Sequence, residues 1–207
     1  MAPQDSYQDD RIASAVCSGS AYDRVRYERY SFFRQTVPRT LTAQSGVLAL
    51  LALTLPMYGL YPESAATYLP ATDPAVASPK AVLLAVFGGG MVLLSAALLV
   101  ASGLYRVRFS PLTEAQAHSV IDAEDFARYV GLGTGGLAVL LSVCLFAVGL
   151  GGGDAIGTYV ATTGRNPFVD SGTGLSVETL ALVAYAASVL LFFVGRYLSV
   201  RLLPATQ

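Results

Sequence analysis

Apolar residues fall into four long, nearly uninterrupted runs, at residues 41–61, 81–105, 129–150 and 177–198. Each approaches or exceeds the ~20 residues that an α-helix needs to cross about 30 Å of hydrocarbon. The runs lack a period of two, as Leu83-Leu84-Ala85-Val86-Phe87 and Leu190-Leu191-Phe192-Phe193-Val194 illustrate, so the strands of a membrane barrel do not fit. Helices do fit, because lipid gives the backbone no partner and a helix satisfies its own polar groups. The pattern predicts an all-α integral membrane protein with four transmembrane helices in an antiparallel bundle. Pro56 predicts a kink late in the first span. Ser78 with Pro79, and Ser176 with Glu178, predict the starts of the second and fourth.

Between the second and third runs the period shortens to that of an amphipathic surface helix, over about 111–128, opened by Ser110 and Pro111. Leu112, Ala115, Ser119, Ala123, Phe126 and Val130 recur as its packing face, opposite Glu114, His118, Asp122 and Asp125. Three carboxylates around a histidine have the chemistry to bind a metal or to hold a proton-transferring imidazole. The plainer account is the solvated side of an amphipathic helix, and it is preferred. Helices that lie on anionic lipid carry Lys and Arg on the polar face, whereas this face is acidic. It is therefore expected to pack against the end of the bundle or another subunit, which makes these four residues candidates for partner contact.

Composition names the solvent. The chain is 54% hydrophobic and 13% charged, about half the usual charged fraction. That deficit excludes a soluble globule, a disordered chain and a nucleic-acid module. Charge distribution then gives orientation. Eleven arginines lie before the first run, between the second and third, or at the C-terminal end, against Lys80 and Arg165 in the other two connections. Basic residues near a span resist translocation, so both termini and the 111–128 helix are expected in the cytoplasm, with outer loops at 62–80 and 151–176. The expected setting is the plasma (cytoplasmic) membrane. Residues 1–40 lack the apolar stretch of a secretory signal, so the first span is expected to serve for targeting.

The 41–203 membrane region follows two short segments. Residues 1–20 read as a disordered acidic tip. Residues 21–40 are basic and aromatic, with Arg24, Arg26, Arg29 and Arg34 among Tyr22, Tyr27, Tyr30, Phe32 and Phe33. Such interleaving suits stacking on single-stranded nucleic acid. Its closeness to the first span favours an interfacial segment drawn to anionic lipid, so lipid is the expected contact and nucleic acid is not.

Gly131-Leu132-Gly133-Thr134-Gly135-Gly136 is a formal match to a dinucleotide-binding fingerprint, but it lies in an apolar span with no preceding strand. Close helix packing is the better account, with Gly131 and Gly135 four apart and Ala85 and Gly89 likewise. These faces meet within one chain or against a protein partner or second copy. Cys17 and Cys144 are too far apart in topology to pair, and a single histidine supplies neither two haem ligands nor a zinc centre, so no cofactor or metal is expected. Tryptophan is absent, and Tyr58, Tyr61, Tyr105, Tyr129 and Tyr197 are placed at the interfaces. In the second outer loop, residues 158–162 and 168–169 suggest a short hairpin.

No Asp, Glu, Lys or His lies centrally in any span, which counts against proton relays, ion-coupled carriers and voltage sensors. The topology resembles that of tetraspanins and claudins, but the cysteine and tryptophan motifs of their outer loops are missing, so the likeness stops at topology. The expected function is a non-enzymatic accessory or scaffolding subunit. The alternatives are a channel or carrier for a neutral or apolar solute, lined by Thr54, Ser95, Ser142 and Ser188 across an oligomer, and an enzyme working through His118 with Glu114 or Asp122.

Overall fold

The computed structural model describes residues 21–28 and 35–202. Within them the chain forms α1 (Ala21–Glu28), α2 (Val37–Ala52), α3 (Thr54–Gly59), a 3₁₀ helix (Glu63–Tyr68), α4 (Ala81–Arg108), α5 (Glu114–Arg128), a π-helical segment (Tyr129–Gly135), α6 (Gly136–Leu150), α7 (Gly152–Thr163) and α8 (Val177–Leu202). No strand occurs among the described residues. Four helical stretches are long and apolar enough to cross a membrane: Val37–Gly59, Ala81–Arg108, Glu114–Leu150 and Val177–Leu202.

The first of these starts four residues earlier than the apolar run, because Pro38 fits the first helical turn. It is interrupted at Leu53, between α2 and α3. Pro56 has no N–H to offer the Ala52 carbonyl, and the chain tightens there: Leu53 N donates to Leu50 O at 3.2 Å and Thr54 Oγ1 to Leu51 O at 2.6 Å. Ser78 does not cap α4. Its hydroxyl donates to Leu175 O at 2.8 Å and ties together the two connections beside it. Ser176 does cap α8, accepting from Thr179 N at 3.1 Å.

The middle connection departs from expectation in three ways. The helix opens at Glu114, where Thr113 and Gln116 form a reciprocal capping box, and not at Ser110 and Pro111. It does not end near residue 128 but runs through the π segment into α6 as one 37-residue helix. Its buried face is Ala117, Val120, Ile121, Glu124, Ala127 and Arg128, while Ala115, Ser119, Ala123 and Phe126 are exposed. Branched Val120 and Ile121 turn inward together with Glu124 and Arg128, which neutralise each other, while Glu114, His118 and Asp122 stay outward and Phe126 is left 62% exposed.

Residues 158–162 form part of α7 and no hairpin. Thr158, Thr162 and Thr163 donate their hydroxyls to carbonyls four residues back, at 2.8 Å each, and Gly164 ends the helix at φ +69.

Small residues set the packing between helices. A Cβ at Gly88 would lie 2.8 Å from Val139 N, and one at Gly135 would lie 3.0 Å from Gly88 O, so α4 meets the π segment and α6 backbone to backbone. Ser45 and Ser188 each donate to the other's carbonyl at 2.9 Å, joining α2 to α8. Large apolar side chains such as Leu83, Phe87, Leu137, Leu141, Leu190 and Phe193 point outward, as helices immersed in hydrocarbon require.

Candidate functional site

The helix ends divide into a basic end, carrying Arg106 and Arg128, and an aromatic end, carrying Tyr58, Tyr61, Phe146 and Phe168. The densest chemistry lies at the basic end, around Glu124. The helical period that turns Val120 and Ile121 inward carries Glu124 with them, and its side chain is 1% exposed. Arg128, one turn on and 4% exposed, reaches back with Nη2 2.8 Å from Glu124 Oε2, and its Nη1 lies 2.7 Å from Asp125 Oδ1. From α4, Arg106 Nη1 approaches Glu124 Oε1 at 3.7 Å, and Ser102 Oγ, which donates its hydrogen to Leu99 O at 2.9 Å, lies 3.5 Å from the same oxygen. From α1, Tyr22 donates its hydroxyl to Glu124 Oε2 at 2.9 Å.

α1 closes this cluster. Tyr22 and Val25 bury themselves against Ala117, Val120 and Ile121, with Tyr105 and Leu112 alongside. The Arg106 guanidinium lies 3.5 Å above the Tyr22 ring centre, and Arg26 donates to Gln35 O at 3.1 Å. Burial, and then the neighbouring Glu124 carboxylate, push the Tyr22 hydroxyl up to about 12, against the weaker pull of Arg106 and Arg26. Tyr22 is thus a firm donor. A carboxylate out of water is tolerable only when it is bonded and its charge balanced, and here Tyr22 and Arg128 bond Oε2 while Arg106 lies beside Oε1. The arrangement is suited to holding three elements in register.

The four candidate contact residues of α5 do not converge on a site. Glu114 is exposed and 3.8 Å from Arg24, His118 and Asp122 are exposed, and Asp125 is drawn to Arg128. Among the described residues, no three metal-ligating side chains gather around a common point. Arg24 and Arg26 engage α5 and Gln35 O, while Arg29 and Arg34 lie outside the described residues. The packing candidates all sit at helix contacts. Ala85 is fully buried, a Cβ on Gly89 would lie 3.2 Å from Leu51 Cδ1, Gly131 sits over Ser95 and Gln44, and Gly135 meets Gly88.

The hydroxyls suggested as a pore lining turn inward. Thr54, Ser95, Ser142 and Ser188 are all buried and bonded within the chain, to Leu51 O, Gln44, Ala81 O and Ser45 respectively. Tyr58, at the end of the first span, faces the protein interior. It is 2% exposed and donates to Ala71 O, whereas Tyr129 and Tyr197 are half exposed. The sequence reading missed Glu124, Arg106 and Tyr22 as a group. The available signal was Glu124 and Arg128 four apart in a stripe with Ala117, Val120 and Ile121.

Two surface concavities lie away from these charges. A groove of about 730 Å³ between the end of α6 and α7 is lined by Val148, Asp154, Ala155, Tyr159 and threonines whose hydroxyls are already donated to backbone. Comparison of the chain with known protein families, curated proteins and solved structures finds no match.

Proposed function

We propose that this chain is a non-enzymatic, multi-pass accessory or scaffolding subunit of a plasma-membrane complex, with four antiparallel spans and with its basic end and both termini in the cytoplasm. The observation that carries the reading is the inward commitment of its polar groups. Thr54, Ser95, Ser142 and Ser188 bond within the chain, and the Glu124 carboxylate is enclosed by α1, α4 and α5. A carrier or channel for a polar solute needs such groups facing a passage; here Ser95, Ser142 and Ser188 fasten one helix to another and Thr54 bonds within its own span. The charge asymmetry of the connections supports the orientation.

Two outward surfaces are suited to a partner. One is the exposed polar face of α5, with Glu114, His118 and Asp122. The other is the outer face of α8, where Tyr185 is 60% exposed among Leu182, Val183 and Val189. Tyr185 lies about 12 Å along the helix from Val177, deep for a residue favoured at interfaces, and a neighbouring helix would give its hydroxyl an acceptor. Purification from native membrane in mild detergent, followed by mass spectrometry, is expected to recover one partner at fixed stoichiometry. Recovery of the isolated chain alone contradicts the reading.

A further inference from the structure

Three buried side-chain polar atoms among the described residues have no partner in the protein, Gln35 Oε1 near the start of α2 and, deeper, Gln44 Oε1 and Arg128 Nε. Gln44 and Arg128 are 0% and 4% exposed. The Gln44 amide nitrogen donates to Ser95 Oγ at 2.5 Å. Turning the amide over would exchange the free end for the other and still leave one polar atom without a protein partner.

The two deeper atoms belong to neighbouring levels of one seam. A Cβ at Gly131 would fall 2.5 Å from Gln44 Nε2, which seats the Gln44 amide against the Gly131 backbone. Arg128 precedes Gly131 by three residues on the same buried face, about 4.5 Å along the axis. On α4, Ser95 and Ser102 are seven residues apart on one face, and Ser102 reaches Glu124. Polar groups therefore step inward from Glu124 and Ser102, past Arg128, to Ser95 and Gln44. At this depth neither solvent nor lipid supplies hydrogen bonds, and an unfilled polar group is costly.

We propose that α2, α4 and the π segment form a binding site for one or two water molecules, which donate to Gln44 Oε1 and accept from Arg128 Nε–H. Water is the ligand because it offers both a donor and an acceptor to two buried atoms that have no partner in the protein. It serves whichever end of the amide faces it. The wider turn of the π segment, with Gly131 lacking a side chain, is what brings a backbone this close to a side-chain amide pair. The site prolongs the Glu124 cluster toward the middle of the membrane and stands independently of the accessory-subunit reading.

The test uses the full chain in nanodiscs. A structure that resolves ordered water is expected to show density within hydrogen-bond distance of the Gln44 amide and of Arg128 Nε. That density should vanish in the Gln44→Met/Ser95→Ala double variant, a near volume-conserving change. The variant's thermal midpoint should fall by about 4 °C or more, because the water loses its seat and Arg128 Nε is left bare. Wild-type density absent from both atoms overturns the proposal. So does a midpoint that is unchanged or raised, the response expected when an unsatisfied amide is replaced by an apolar side chain.

Discussion

The basic and aromatic ends solve the same task with different forces. At the basic end, α1, α4 and α5 are joined through one buried carboxylate that gathers Tyr22 and Arg128, with Arg106 and Ser102 beside it. At the aromatic end there is no buried ion pair among the described residues, and rings and glycines do the joining. Tyr58 and Tyr61 lie 4.9 Å apart, Tyr61 meets Phe168 edge-on at 5.9 Å, and Phe146 meets Phe168 at 6.5 Å. Gly149, Gly153 and Gly157, spaced four apart, receive Tyr61, Ser64 and Tyr68 in turn, which lays α7 on the 3₁₀ helix. Tyr61 donates to Phe146 O at 2.6 Å, so even its polar bond goes to backbone. One end therefore depends on charge balance and the other on volume.

That difference is open to direct attack, beginning with the largest effect. Glu124→Leu removes the common acceptor, leaving Arg106 without its carboxylate and Arg128 with Asp125 alone, which is expected to cost about 3–5 kcal/mol, read as a lowered midpoint of unfolding in detergent. Gly149→Ala inserts a methyl into the Tyr61 ring. It should cost about 1–3 kcal/mol by overpacking, and its effect should not change with salt.

pH offers a third separation. Tyr22 binds its proton more tightly in the folded chain, at about 12 against an ordinary 10.0. Its contribution is fully present below pH 10 and is lost as pH rises from 10 to 12, since the unfolded side chain ionises first. The midpoint should accordingly fall over that window, and Tyr22→Phe should flatten the part of the profile that belongs to α1. The smallest effect is expected from Arg24→Ala. The Arg24–Glu114 pair is long and half exposed, so its loss should change stability by no more than about 0.5 kcal/mol at moderate salt.

Much of this architecture was legible because spanning helices announce themselves by length and apolarity. The second and fourth apolar runs begin where α4 and α8 begin, and Gly131 and Gly135 were recognisable as contact points by spacing alone. The cluster was harder to read. In α5 two faces compete, one of small residues with Phe126 and one with Val120, Ile121 and two charges. A count that scores alanine and valine alike selects the wrong one. Only the tertiary fact that Tyr22 and Arg106 converge on Glu124 makes the charged face the inner one, and those residues are distant in sequence. The α7 helix was hidden for a related reason. Its glycines and threonines read as loop, and what stabilises it is the seat Gly153 and Gly157 make for Ser64 and Tyr68.

Hydrogen exchange on the full chain in nanodiscs, comparing wild type with Glu124→Gln, tests most directly whether one carboxylate holds the basic end together. Neutralising Glu124 should strip protection from α1 and from α5 at residues 114–128, while the 3₁₀ helix and α7 at the aromatic end keep theirs. Unchanged protection of α1, or an equal loss at both ends, would contradict the account.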